Sequence, residues 1–278
     1  MGIKFFGHYL LDEDKLTNTQ LTEAVDYQTA NNLSLGELAV RDSLISEKEA
    51  NTINDKQRSL DKRFGEVAIS LGLLTDPQID NLLATQKKEK IFFGEILILK
   101  KFMSEETLNS ELKKFEEQQH IEVEELDDKI DEIDIDGLMK NSIGILQKLY
   151  SRIVHDHIKL VNIRKNSNQG PNGVIALQKM RGDINMDFAI AADVAVSLAI
   201  SEKFMKMDFD KIDEMVLDIV SEFVNVVLGN IAVKFSSGGT KVDLTPPTVL
   251  TKLDDSFKEY YAFDFVTTQG NLTLWLKV

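Results

Sequence analysis

Apolar and polar positions follow two different rules along this chain. In the first 115 residues they recur in columns. Gly7, Gly36, Gly65 and Gly94 stand 29 residues apart, each preceded by a large apolar residue: Phe6, Leu35, Phe64 and Phe93. Two positions after each glycine come Tyr9, Leu38, Val67 and Ile96; nine after, Leu16, Ile45, Leu74 and Met103. Ten after come Thr17, Ser46, Thr75 and Ser104; twenty-one after come Gln28, Gln57 and Gln86, and the fourth copy ends with Phe115. The Ser/Thr column predicts helix starts, because a side-chain oxygen there accepts from free backbone N–H groups. Thr17 with Gln20, Ser46 with Glu49 and Thr75 with Gln78 read as capping boxes, and Pro77 fits a first helical turn. Each copy is therefore expected to be a short helix, a turn, and a capped helix of roughly three turns, with the apolar columns stacking one unit on the next.

From 137 onward the pattern changes to an α+β alternation. Leu138, Ile143, Leu146, Leu149 and Ile153 fall at helical spacing and predict a helix followed by a strand reaching about 163. Residues 174–177 and 184–190 predict paired strands around Met180-Arg181-Gly182-Asp183. Helices are expected over about 192–204 and 210–228, and strands over 244–245, 248–250, 260–267 and 272–278. In the second helix Ile212, Val216, Ile219, Phe223 and Val227 form one apolar stripe, with Glu214, Asp218, Glu222 and Asn225 on the other side. Glu222 and Asn225 are three apart and so project from one face.

Between these halves, residues 104–136 hold 14 Asp/Glu against three Lys. Ile121, Leu126, Ile130 and Ile133 form at most a thin stripe, so 119–136 reads as a solvated, acidic helical linker. An acidic tail for a basic partner is the alternative.

The 278-residue chain has a formal net charge of -14 and no cysteine. Such acidity disfavours DNA and anionic membranes as partners, and the lack of thiols excludes a disulfide scaffold, zinc–thiolate sites and a cysteine nucleophile. The start is too short in apolar residues for a signal peptide, and no membrane-spanning helix is expected, so a cytoplasmic location is the reading. His155-Asp156-His157 lacks an evident third ligand and reads as a strand end or turn, with no metal site expected. The loop 236–240 lacks the Gly-Lys-Ser/Thr ending of a phosphate loop. Trp275 reads as core or dimer surface.

The 29-residue columns resemble the MshEN-type N-terminal domain of type II secretion and type IV pilus ATPases, over about 4–118. Complete motifs in that family bind cyclic di-GMP. The family's arginine, two before the glycine, stands here as Phe5, Ser34, Arg63 and Phe92; its second glycine stands as Asp14, Ser43, Gly72 and Lys101. Arg63, Gly65 and Gly72 are thus the remnant of a nucleotide site, and Phe cannot supply the planar, charged contacts of arginine. A docking module for a secretion, pilus or motility component is the expectation for 1–118, with cyclic di-GMP responsiveness as the alternative.

Asp218-x3-Glu222-x2-Asn225, then Gly229-Asn230, then Pro246-Pro247-Thr248-Val249, resembles the CheX branch of the CheC/CheX/FliY phosphatase family across 137–278. Pro247 lies 22 residues beyond Asn225, one fewer than the family spacing, which a trimmed hairpin at Ser236-Ser237-Gly238-Gly239 accommodates. The resemblance implies hydrolysis of the aspartyl phosphate of a CheY-like receiver in chemotaxis or two-component signalling. It implies Asn225 as the catalytic group and Glu222 as the orienting one. It also implies a homodimer and no cofactor of the protein's own, since Mg2+ comes with the phosphorylated receiver. A non-catalytic, receiver-binding adaptor is the competing expectation.

Overall fold

The computed structural model describes residues 5–59, 62–134, 136–236 and 239–278, and of Arg58 and Ser59 the backbone. The first four residues, Ile135 of the acidic run and Ser237-Gly238 of the trimmed hairpin lie outside the described residues. The chain divides into two compact units, 5–118 and 119–278.

In the first unit short and long helices alternate: α1 (Phe6–Asp12), α2 (Asn18–Asn31), α3 (Leu35–Arg41), α4 (Glu47–Ser59), α5 (Phe64–Ser70), α6 (Asp76–Glu89), α7 (Phe93–Leu99) and the start of α8 (Glu105–Ile133). The expected capping boxes form. Gln20 N–H donates to Thr17 Oγ1 at 3.3 Å while Thr17 N–H donates to Gln20 Oε1 at 2.9 Å. Ser46 with Glu49 does the same, and Thr75 N–H donates to Gln78 Oε1 at 2.9 Å. A further box, Ser34 with Glu37, starts a short helix. Helices α2, α4 and α6 run 13 or 14 residues, longer than three turns.

Packing does not follow sequence order. One core joins Leu38, Ile45 and Ile53 of the second copy to Val67, Leu74 and Leu82 of the third. Another joins Tyr9, Leu10 and Leu16 of the first to Ile96, Leu97 and Leu108 of the fourth. The expectation of one unit stacking on the next is therefore corrected to a pairing of second with third and first with fourth. The glutamine column explains it. Gln57 donates to Lys62 O, Gln86 to Leu33 O and Gln28 to Ile91 O, at 3.0, 3.0 and 3.2 Å. Each accepting carbonyl lies three residues before a column glycine, so the bonds join second to third reciprocally and first to fourth. Space is tight at these glycines: a Cβ on Gly36 would stand 3.1 Å from the Phe64 ring, and one on Gly7 2.5 Å from Leu21 Cδ1 and 3.2 Å from the Phe93 ring. Phe115 replaces the fourth glutamine and packs its ring against Phe6 and Tyr9 instead.

The second glycine column is a conformational one. Asp14, Ser43, Gly72 and Lys101 all have φ between 54° and 67°, just after the short helices. A side chain in this left-handed region costs about 1–2 kcal/mol. We expect Lys101→Gly to raise the stability of the first unit by about 1 kcal/mol, read from denaturant unfolding of the full chain. A Ser43→Gly change should act the same way.

Beside the first–fourth core, the buried Glu111 accepts from Tyr9 Oη at 2.8 Å and from Lys114 Nζ at 2.9 Å. The hydrogen bond from Lys114, then that from Tyr9, holds the Glu111 carboxyl below its ordinary 4.5 against the opposing effect of burial. Burial, then Glu111, pushes the Tyr9 hydroxyl up to about 12. A depressed carboxylate stabilises the fold above its unfolded pKa and loses that contribution as pH falls through the folded value. The first unit should therefore lose stability as pH drops below about 4.5, and Glu111→Gln should flatten this dependence in pH-resolved hydrogen exchange.

The second unit takes the rest of α8, then α9 (Leu138–Val154), β1 (Lys159–Arg164), β2 (Gly173–Gly182), β3 (Met186–Asp193), α10 (Val194–Met205), α11 (Glu214–Ser236), β4 (Val242–Leu244), β5 (Thr248–Leu250), a 3-10 turn (Asp255–Glu259), β6 (Tyr261–Val266) and β7 (Asn271–Lys277). Among the described residues the strands form one seven-stranded antiparallel sheet, ordered β1-β6-β7-β3-β2-β4, with β5 also on β2. Period-two alternation gives it two apolar faces. Phe188, Ile190, Phe263 and Leu274 face α9, α10 and α11. Ile175, Ala189, Ala191 and Trp275 face Phe257 and Tyr260. Trp275 is core, fully buried edge-on to Phe257 at 5.5 Å.

Three sequence expectations change. The acidic run reads as solvated, yet Leu126 and Ile130 are buried and Ile130 and Ile133 join the core of the second unit; Ile121 stays exposed. Asp134 caps α9, accepting from Met139 N–H at 2.9 Å and Lys140 N–H at 2.7 Å. Helix α11 passes Gly229 and continues to Ser236, because Ile231 and Ala232 extend its buried stripe. At that length it is long and apolar enough to cross a membrane, which the sequence reading did not anticipate, but Val216, Phe223, Val227 and Ile231 lie in the core.

Candidate functional site

The site is built where α11 lies along β2 and meets β4 and β5. Asp213 starts the helix by accepting from Val216 N–H at 3.0 Å. Val216, Ile219, Phe223 and Val227 then turn inward, which leaves Asp218 and Glu222 exposed and Asn225 half-buried at the seam. Helical spacing brings Asn225 Nδ2 to within 3.3 Å of Glu222 Oε2, to which it donates.

Opposite α11, β2 has two successive partners. Leu244 of β4 pairs with Met180, and Thr248 of β5 pairs with Leu177. Pro246 and Pro247 have no N–H to donate, so the edge strand breaks between them. Thr245 secures the break. Its N–H donates to Lys179 O at 2.9 Å, and its Oγ1 accepts from Lys179 N–H at 3.1 Å.

A third side chain joins Glu222 and Asn225, and the sequence reading missed it. Gln178 on β2 is buried, and its Nε2 donates to Asn225 Oδ1 and to Thr245 O, both at 2.8 Å. The signal was present. Val174, Ala176, Gln178 and Met180 are the inward positions of β2, and a carboxamide there breaks an apolar alternation.

The arrangement offers one exposed carboxylate and one oriented carboxamide. The amide keeps a second N–H and a second lone pair on Oδ1 for a small polar ligand such as water. The remaining candidates lie elsewhere. His155 takes a left-handed conformation at the end of α9, and Asp156 binds the turn by accepting from His157 N–H and Thr268 N–H. Among the described residues no group of three or more His, Asp or Glu side chains is placed to hold a metal. In the first unit Arg63 is the exposed residue capping α5, Gly65 packs under Ile79, and Gly72 occupies the left-handed position after α5. Phe5, Ser34 and Phe92 hold the same helix-capping position as Arg63.

Comparison with known proteins finds similarity in the second unit. Residues 174–266, about a third of the chain, match the family model described as "Chemotaxis phosphatase CheX". This region, which contains Gln178, Glu222, Asn225 and Thr245, is similar to CheX proteins. The "CheY-P phosphatase CheX" of Thermotoga maritima is 26% identical over 92 residues, 32% of this chain and 59% of that protein. The chain thus spans less than two thirds of that relative. A chemotaxis protein CheX structure from Vibrio vulnificus is 18% identical with a TM-score of 0.45, covering 50% of this chain and 97% of that one. A CheC-like superfamily protein from a Shewanella species is 20% identical with a TM-score of 0.45, covering 51% and 99%.

Proposed function

We propose that the second unit is a phosphatase for the aspartyl phosphate of a CheY-like receiver. The observation that carries this is the pair Glu222–Asn225, held at an exposed seam with its amide already oriented, inside a region of CheX type. The receiver brings its own Mg2+ and lysine as part of the substrate. Asn225 presents one N–H and one oxygen lone pair to a water and sets it in line with the phosphorus. The water oxygen bonds to phosphorus, the bond to the receiver's aspartate oxygen breaks, and inorganic phosphate leaves; the water's proton passes to that phosphate or to solvent. Glu222, one turn earlier and exposed, pairs with the receiver's lysine by charge-assisted hydrogen bonding.

For the first unit we favour a docking or regulatory role in the manner of MshEN-like repeats. Gly65 and Gly72 are accounted for by close packing and by a left-handed backbone, so Arg63 stands as a lone ligand-type residue of the nucleotide motif. That supports docking of a protein component over cyclic di-GMP sensing, and a titration of the full chain showing no saturable binding at micromolar nucleotide is the expected result.

Decay of a phosphorylated receiver tests the phosphatase reading. Wild type should accelerate it, Asn225→Ala should lower kcat by about 100-fold, and Glu222→Ala should act mainly on KM. A receiver that binds saturably yet decays at its intrinsic rate would establish the adaptor instead.

A further inference from the structure

The geometry points to Gln178 as the residue that positions Asn225, deciding which end of its carboxamide faces the substrate; this rests on the reading of Asn225 as the water-orienting group. Gln178 is 1% exposed, on the helix-facing side of a strand whose other inward residues, Val174, Ala176 and Met180, are apolar. Burying a carboxamide there is costly unless it is bonded. Thr245 O is a backbone carbonyl and can only accept, so it fixes Gln178 with Nε2 toward it. The same nitrogen reaches Asn225, which must therefore present Oδ1 inward and Nδ2 outward, toward Glu222. A flipped Asn225 would set an NH2 group against an NH2 group. One side chain thus joins β2, α11 and the residue before Pro246-Pro247, the three pieces that frame the site.

The bonding is lopsided in a way that stability does not explain. Both hydrogens on Gln178 Nε2 are used, while its Oε1 is buried without a partner among the described residues. An unpaired buried acceptor works against folding, and a methionine of similar volume would fill the position without it. What glutamine provides and methionine does not is a donor aimed at Asn225.

Gln178→Met is the test, run with the full chain on a phosphorylated receiver beside Asn225→Ala and the double variant. The expected result is kcat reduced by about 10-fold or more, KM changed less than about twofold, and a double variant no slower than Asn225→Ala alone. A Gln178→Met protein with wild-type kcat, in an assay where Asn225→Ala is impaired, overturns the positioning role and leaves the phosphatase reading standing. Wild-type kcat in Asn225→Ala removes that reading, and this inference with it. Should Gln178→Met not fold, Gln178→Glu supplies the second readout. Its neutral carboxyl carries one donor hydrogen and its carboxylate none. Acceleration over intrinsic decay should then recover as pH falls, in the variant and not in wild type; a variant profile parallel to wild type overturns the proposal.

Discussion

The seam between α11 and β2 is the constraint that the second unit is built around. Val216, Phe223 and Val227 from the helix share one apolar core with Val174, Ala176 and Met180 from the strand, and Gln178 is a buried polar side chain on the same strand face. Apolar contact alone would let a helix slide or rotate on a sheet, because burial is non-directional. A buried donor shared between a helix side chain and an edge-strand carbonyl removes that freedom at one point. The half-buried Asn225 held at that point and the exposed Glu222 beside it are the groups a ligand would meet.

The first unit shows the same economy with a different device. Its 29-residue copies carry one glutamine and one glycine column, and together these choose partners. The glutamine finds a carbonyl in another copy, and in the first two copies the glycine, Gly7 or Gly36, accepts an aromatic ring from that copy at close range. Where the fourth copy lacks the glutamine, Phe115 replaces a directional bond with ring contacts.

Much of this was legible in the sequence, for reasons that differ by element. Capping boxes were readable because they are local: Thr17, Ser46 and Thr75 find their partners three residues on. The Glu222–Asn225 juxtaposition was readable because helical spacing alone produces it. The pairing of non-adjacent copies was not, since Gln28 reaches Ile91 across 63 residues and periodicity carries no record of such a choice. Gln178 was missed because the reading ended this run at 177, before the inward polar position, whereas β2 continues to Gly182. The end of α11 was missed because Gly229 looked like punctuation, whereas the buried stripe continues past it.

Helix α8 carries a lesson about where one unit stops. The division at residues 118 and 119 falls inside this helix, and the acidic half beyond it is part of the second unit. Ile130 and Ile133 fill its core, and Asp134 closes the N-terminal turn of α9. A fragment begun at Gly137, where the composition changes, would lose hydrophobic cover and a cap at once. The stretch richest in charge is therefore no neutral spacer that can be shortened or exchanged at will. Any natural or engineered fusion that keeps the sheet intact must also keep the last turns of the helix that precedes it.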